Sequence, residues 1–131
     1  MAGVISIPSR AGFLRARNHG FKAVSRSLVM QAAPNQLSNW RVGYTASKKI
    51  GNAVTRNRAR RRLRAAMRES QHPVARSGLD YVLIARFDTV KREWQHLVDD
   101  VDKAVGNLHR QMDQKDVENW RHGSSHKSRQ A

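Results

Sequence analysis

The period of the apolar positions changes several times along the chain, and each change marks an element. Ser9 is placed to cap a helix running to about His19, with Gly20 positioned to end it in a left-handed conformation. Phe13 and Arg17 lie one turn apart in that segment and share a face. From Phe21 the pattern shortens to alternation: weakly over Phe21 to Ser25, then over Ser27 to Ala33 and over Trp40 to Ala46, with Pro34 to Asn39 as a turn. Leu28 and Met30 point one way and Val29 and Gln31 the other, just as Val42 and Tyr44 oppose Gly43 and Thr45. The alternation predicts a sheet with one core face and one open face.

A helical period returns at Asn52 or Thr55 and continues to about Gln71. Ala59, Leu63, Ala66 and Met67 fall on one apolar stripe, the mark of a helix packed on a sheet. Pro73 and Gly78 bracket a loop, and Tyr81 to Ala85 is apolar throughout, as expected of a strand covered on both faces. Trp94, Leu97, Val98, Val101, Ala104, Val105, Leu108 and Met112 then recur at threes and fours and predict a long amphipathic helix. The pattern lapses before Ser9 and after about Gln114. The expected organisation is a flexible arm over 1–8, a single α+β domain over 9–113 and a disordered basic tail over 114–131.

At 131 residues the chain has the length of one domain, and none of its apolar runs approaches the roughly 20 residues of a membrane span. It contains no cysteine, which excludes disulfides, thiolate metal sites and a cysteine nucleophile. A cytoplasmic protein with no membrane partner is expected.

Charge changes the picture most. Lys and Arg number 25 against 10 Asp and Glu, a net charge of +15. Fifteen of those cations lie between Met1 and Arg68, where there is no carboxylate at all; the rest of the chain carries ten of each sign. A surface of one sign repels itself unless a polyanion neutralises it, so a nucleic-acid partner is expected. Beside the apolar stripe of the central helix, Arg56, Asn57, Arg60, Arg61, Arg64 and Arg68 form one arc, with Arg58 and Arg62 on the opposite flank: seven arginines in thirteen residues. The guanidinium fork donates paired hydrogen bonds to phosphate and keeps its charge, so this helix is the candidate nucleic-acid ligand. Lys48 and Lys49 precede it beside Gly51 and Asn52, in a loop where backbone N–H groups can approach a phosphate.

A nuclease site built from protein side chains fails on residue supply, because two-metal phosphodiester chemistry needs converging carboxylates. Asp99, Asp100 and Asp102 are expected on the polar face of the last helix, and His109, His122 and His126 make no ligand set. No catalytic and no metal-binding residue is therefore assigned. A structural RNA-binding protein and a nucleoid-type DNA binder remain as alternatives at this level.

The run from Arg41 through Gly43, Lys49, Asn52 and Arg56-Asn57-Arg58 to Arg64 closely resembles the hallmark of the bacterial ribonuclease P protein family. The resemblance extends upstream through Phe13, Gly20 and the strand around Val29, and downstream through Asp80 to Arg86 into the final helix. It implies a two-layer α+β fold of the ribosomal protein S5 domain 2-like type, ordered α-β-β-β-α-β-α with a left-handed crossover. It also implies a protein monomer that binds the catalytic RNA of ribonuclease P and the 5′ leader of precursor tRNA, with Mg2+ held mainly by the RNA and catalysis carried by it. The catalytic-RNA-binding residues implied are Lys49, Asn52, Arg56, Asn57, Arg58, Arg60, Arg61 and Arg64, to which Lys48 and Arg68 are added by position. The leader cleft would be lined by Phe13, Val29, Gln31 and Thr45, with Arg17 standing where the family often has a second aromatic.

Overall fold

The computed structural model describes residues 5–70 and 76–121. Residues 1–4 of the expected arm, Gln71, Pro73 and residues 122–131 of the expected tail lie outside that range. Five strands form one mixed sheet, β1 (Ile5–Ser6), β2 (Phe21–Val24), β3 (Leu28–Pro34), β4 (Arg41–Thr45) and β5 (Leu79–Ala85), in the spatial order β1-β4-β5-β3-β2. β4 runs parallel to β1 and β5, whereas β3 runs antiparallel to β2 and β5. The helices are α1 (Arg10–His19), α2 (Ala53–Glu69), α3 (Phe87–Lys91) and α4 (Trp94–Arg121). The expected α+β order is present, with β1 and α3 added to it.

The sheet buries its two faces unequally. On one, Leu28 and Met30 of β3, Val42 of β4 and Tyr81 and Leu83 of β5 pack against Ala59, Leu63 and Ala66 of α2 and Leu97, Val101, Val105 and Leu108 of α4. On the other, α1 covers only part of the surface, through a small cluster of Ile7, Ala16, Ala33 and Val82 with Phe13 and Ile84. β5 is buried along nearly its whole length, as its continuously apolar sequence requires.

Several expectations are corrected. Gly20 is extended, with φ −100° and ψ −179°, not left-handed. Its role is close approach, for a Cβ there would lie 2.3 Å from the Ala32 carbonyl oxygen and 2.5 Å from that of Ala16. The arm is not wholly flexible: Ile5 and Ser6 pair with Arg41 and Val42, and Ile7 is buried under α1. α2 ends at Glu69, and α4 continues to Arg121 instead of stopping near Gln114. The apolar stripe stops at Met112, but Gln, Lys and Glu beyond it are good helix formers and no Gly or Pro interrupts them before Arg121. Asp100 is buried and not on a polar face: it accepts from Ser27 Oγ at 2.6 Å and Arg92 Nε at 2.9 Å. His109 is buried too, its Nε2 lying 2.8 Å from the Tyr81 hydroxyl.

One ion pair fixes the floor beneath α1. Asp80 of β5, 1 % exposed, stands opposite Arg41 of β4 in the parallel register. Arg41 donates from Nε to Oδ1 at 2.8 Å and from Nη2 to Oδ2 at 2.7 Å, and Asn35 Nδ2 donates to Oδ1 at 2.9 Å. Burial alone would raise the Asp80 pKa, but the hydrogen bonds from Arg41 and Asn35 and the charges of Arg41 and Arg15 outweigh it and hold the carboxyl below its ordinary range.

Replacing Arg41 by Leu strands a buried carboxylate and is expected to cost about 3–5 kcal/mol in urea unfolding. Because the folded pKa of Asp80 lies below the unfolded value, its contribution is complete above that unfolded value, about 3.9, and is lost as pH falls through the folded one. The stability advantage of the natural chain over an Arg41→Leu, Asp80→Asn double variant should therefore shrink on acidification, and an advantage independent of pH would contradict the pairing.

Candidate nucleic-acid interface

α2 begins where its sequence can cap it. Asn52 Oδ1 accepts the Thr55 N–H at 2.9 Å, which decides for Asn52 over Thr55 as the start and commits one of the candidate RNA ligands in part to capping. Only Ala59, Leu63 and Ala66 of this helix are buried, so the arginines emerge on both sides of a narrow contact. Arg58, Arg61, Arg64 and Arg68 are exposed, and none of the α2 arginines forms an ion pair among the described residues. Arg60 donates to the Asn57 side-chain oxygen one turn back. Arg64 lies 5.1 Å over the Tyr44 ring, and burial pushes the Tyr44 hydroxyl up to about 12 against the opposing charges of Arg64 and Arg68, so Tyr44 meets the helix as a neutral ring. Arg56 keeps its Nε enclosed without a hydrogen-bond partner among the described residues.

Arg62, which was not among the expected RNA ligands, is used within the fold. Its Nη1 donates to the carbonyls of Thr89 at 2.8 Å and Val90 at 2.6 Å, its Nη2 to that of Arg92 at 2.6 Å, and its guanidinium sits 5.6 Å from the Trp94 ring centre. It satisfies the carbonyl end of α3 and ties it to α2. No spacing rule could find this, since the acceptors belong to an unforeseen helix 27 positions further on.

Lys48 and Lys49 are exposed on a 3-10 turn over Lys48–Ile50. The loop N–H groups of Ile50 and Gly51 bond instead to Ser47 and Lys48 carbonyls, so the lysine side chains and not those amides are free for a phosphate.

The open sheet face and α1 enclose a groove of about 320 Å³, lined by Arg10, Phe13, Leu14 and Arg17 of α1, Gln31 of β3, Thr45 of β4 and Val82 and Ile84 of β5. Four of the five expected cleft residues meet here. Val29 is not in the lining, although it faces the same way and shares a row with Thr45 and Ile84, on the far side of Ile84 and next to Val24. Arg10 and Leu14 were legible from the spacing of Phe13 and Arg17 around one helix face, and Val82 and Ile84 only from the strand pairing. The Phe13 ring lies directly on Gly43, where a Cβ would stand 2.5 Å from Phe13 Cζ. Among the described residues no group of three or more His, Asp or Glu is placed to hold a metal ion, and no helix is long and apolar enough to cross a membrane.

An α+β domain with one helix whose arginines form no ion pair among the described residues and, on the opposite face of its sheet, a groove mixing an aromatic ring with cations has the surface of an RNA-binding protein. Residues 2–109 match the Ribonuclease P family. The ribonuclease P protein component of Paramagnetospirillum magneticum is 44 % identical over 104 residues, covering 76 % of this chain and 78 % of that protein. That of Ruegeria pomeroyi is 43 % identical over 115 residues, covering 82 % and 89 %. Among solved structures, the Staphylococcus aureus RNase P protein is similar with a TM-score of 0.65 at 25 % identity, covering 81 % of this chain and 94 % of that one. The chain belongs to the ribonuclease P protein family, and its function is that of a ribonuclease P protein subunit.

The two kinds of arginine on α2 should separate by mutation. Arg62→Ala leaves three carbonyls without their charged donor and is expected to lower stability by about 1.5–3 kcal/mol. Arg58→Ala and Arg61→Ala should stay within about 0.5 kcal/mol of the natural chain in the same denaturant titration.

Proposed function

We propose that in this subunit α2 grips the catalytic RNA of ribonuclease P while the α1 groove holds the 5′ leader of precursor tRNA, so that the protein positions substrate and the RNA, with its own Mg2+, cuts it. The observation that carries the reading is the separation of the two basic surfaces: α2 packs on one face of the sheet and the groove opens on the other. One RNA cannot easily satisfy both; an assembly of a structured RNA with a single-stranded extension can. Arg56, Arg58, Arg60, Arg61, Arg64 and Arg68, with Lys48 and Lys49, offer a phosphate backbone cations that form no ion pair among the described residues. In the groove, Phe13 offers a ring for a leader base, Gln31 and Thr45 offer hydrogen bonds, and Arg10 and Arg17 offer charge for its phosphates. Assigning the chemistry and the metal to the RNA follows from the supply of carboxylates, none of which precedes Glu69. The work of the chain is binding and orientation, in the cytoplasm where tRNA is processed.

Reconstitution tests this. With a ribonuclease P RNA at low Mg2+, the protein should enhance removal of the leader, and without RNA it should leave precursor tRNA intact. An Arg56→Glu, Arg60→Glu variant should keep its helical circular dichroism and lose affinity for the catalytic RNA, with a shallower salt dependence because fewer counterions are released. Accurate cleavage by the protein alone would refute the assignment of chemistry to RNA.

Gly43→Ala provides a finer probe, since the added methyl displaces the Phe13 ring. Loss of one stacked base is worth about 1–3 kcal/mol, so Gly43→Ala and Phe13→Ala should each weaken binding of precursor tRNA to the holoenzyme without changing that of mature tRNA. Equal effects on both ligands would show that the groove does not hold the leader.

A further inference from the structure

The flank of α2 that carries Arg58 and Arg62 borders a second groove. It measures about 450 Å³ and is lined by Arg58, Arg61, Arg62 and Ala65 of α2, Val90 of α3 and Trp94 of α4. The lining divides into a fixed part and a free part. Arg62 is held by its three carbonyl acceptors and lies over the Trp94 ring, while Val90 and Trp94 are half-buried and packed on the main core. Arg58 and Arg61 are exposed and make no ion pair among the described residues. Glu93, whose charge reaches Arg62, accepts the His96 backbone N–H at 3.1 Å at the start of α4.

A rigid aromatic platform with an apolar wall and two uncommitted guanidinium groups narrows the ligand. An apolar peptide would cover the indole and leave Arg58 and Arg61 without counter-charge. An acidic peptide would use those cations and waste the ring. A nucleotide uses both, its base on the ring and its phosphate on the arginine forks.

We propose that this groove is a nucleotide subsite that takes one unpaired base of the catalytic RNA against Trp94 and the adjoining phosphate on Arg58 and Arg61. It rests on the reading that α2 binds that RNA and extends it, because α2 is then held from both flanks of its buried stripe. Arg62 has a positioning part: by tying α2 to the carbonyls of α3 it sets the width of the groove.

Two measurements with ribonuclease P RNA as the probe decide it. In a protein carrying Trp40→Phe and Trp120→Phe, Trp94 is the only tryptophan left, and its emission should be quenched as RNA saturates the protein. In the otherwise natural chain, Trp94→Leu should weaken RNA binding roughly five- to 160-fold and Trp94→Phe should restore most of the loss, the range spanned by stacking of one base on one ring. A purely structural Trp94 would lower the melting temperature of the Leu variant without giving an RNA-dependent fluorescence signal in the single-tryptophan protein. Unquenched Trp94 emission, or equal RNA affinity of the Phe and Leu variants, overturns the subsite; if Arg56→Glu, Arg60→Glu still abolishes binding, the parent reading stands. Failure of the natural protein to bind the RNA overturns both.

Discussion

The structure depends on anchoring a helix of like charges by a very narrow contact. α2 buries three small or medium side chains, Ala59, Leu63 and Ala66, and carries seven guanidinium groups around them. Leu63 is its only large fully buried group, so hydrophobic contact alone holds the helix weakly against its own repulsion. Arg62 resolves part of the conflict by turning one of the repelling charges into a bracket on the carbonyls of α3. Arg64 resolves another part by lying on the neutral ring of Tyr44. The remaining charge is left for a polyanion.

The allocation of carboxylates follows the same logic. The first half of the chain has none, and the fold brings those of the second half back to it selectively. Asp80 meets Arg41 and Arg15, Asp88 meets Arg26, and Asp100 meets Ser27 as well as Arg92. Each of these holds strands or helices together. Among the described residues none reaches an arginine of α2 as an ion pair, so neutralisation is spent on the scaffold and withheld from that helix.

The elements with a long uniform period were legible in the sequence: the stripe of α2, the alternation of β3 and β4, and the threes and fours of α4. What escaped depended on partners distant in the chain. β1 is two residues long and exists through pairing with β4; α3 is five residues and is held by Arg62 and by the Thr89 hydroxyl, which accepts the Arg86 N–H at 2.8 Å. The misreading of Gly20 has the same origin. Local sequence offers a glycine after a helix, while the need for it comes from the Ala32 carbonyl on another strand. The structure brings Phe13, Arg17, Gln31 and Thr45 together in one groove and leaves Val29 beyond Ile84 in the same row, while Val82 and Ile84 were hidden inside a run whose apolar character reads as core alone.

The position of β5 has a consequence for how the chain is made. β3 and β4 are successive in sequence, yet they do not pair; β5 lies between them and hydrogen-bonds to both. A ribosome therefore releases the whole acid-free half, arginine helix included, before the strand that joins its pieces has been synthesised. Until Leu79–Ala85 emerges, the nascent segment has neither a continuous sheet nor a carboxylate of its own beyond Glu69, and it waits as an open polycation beside ribosomal RNA. Closure of the sheet is then governed by contacts distant along the chain, since β3 and β4 are joined only through β5.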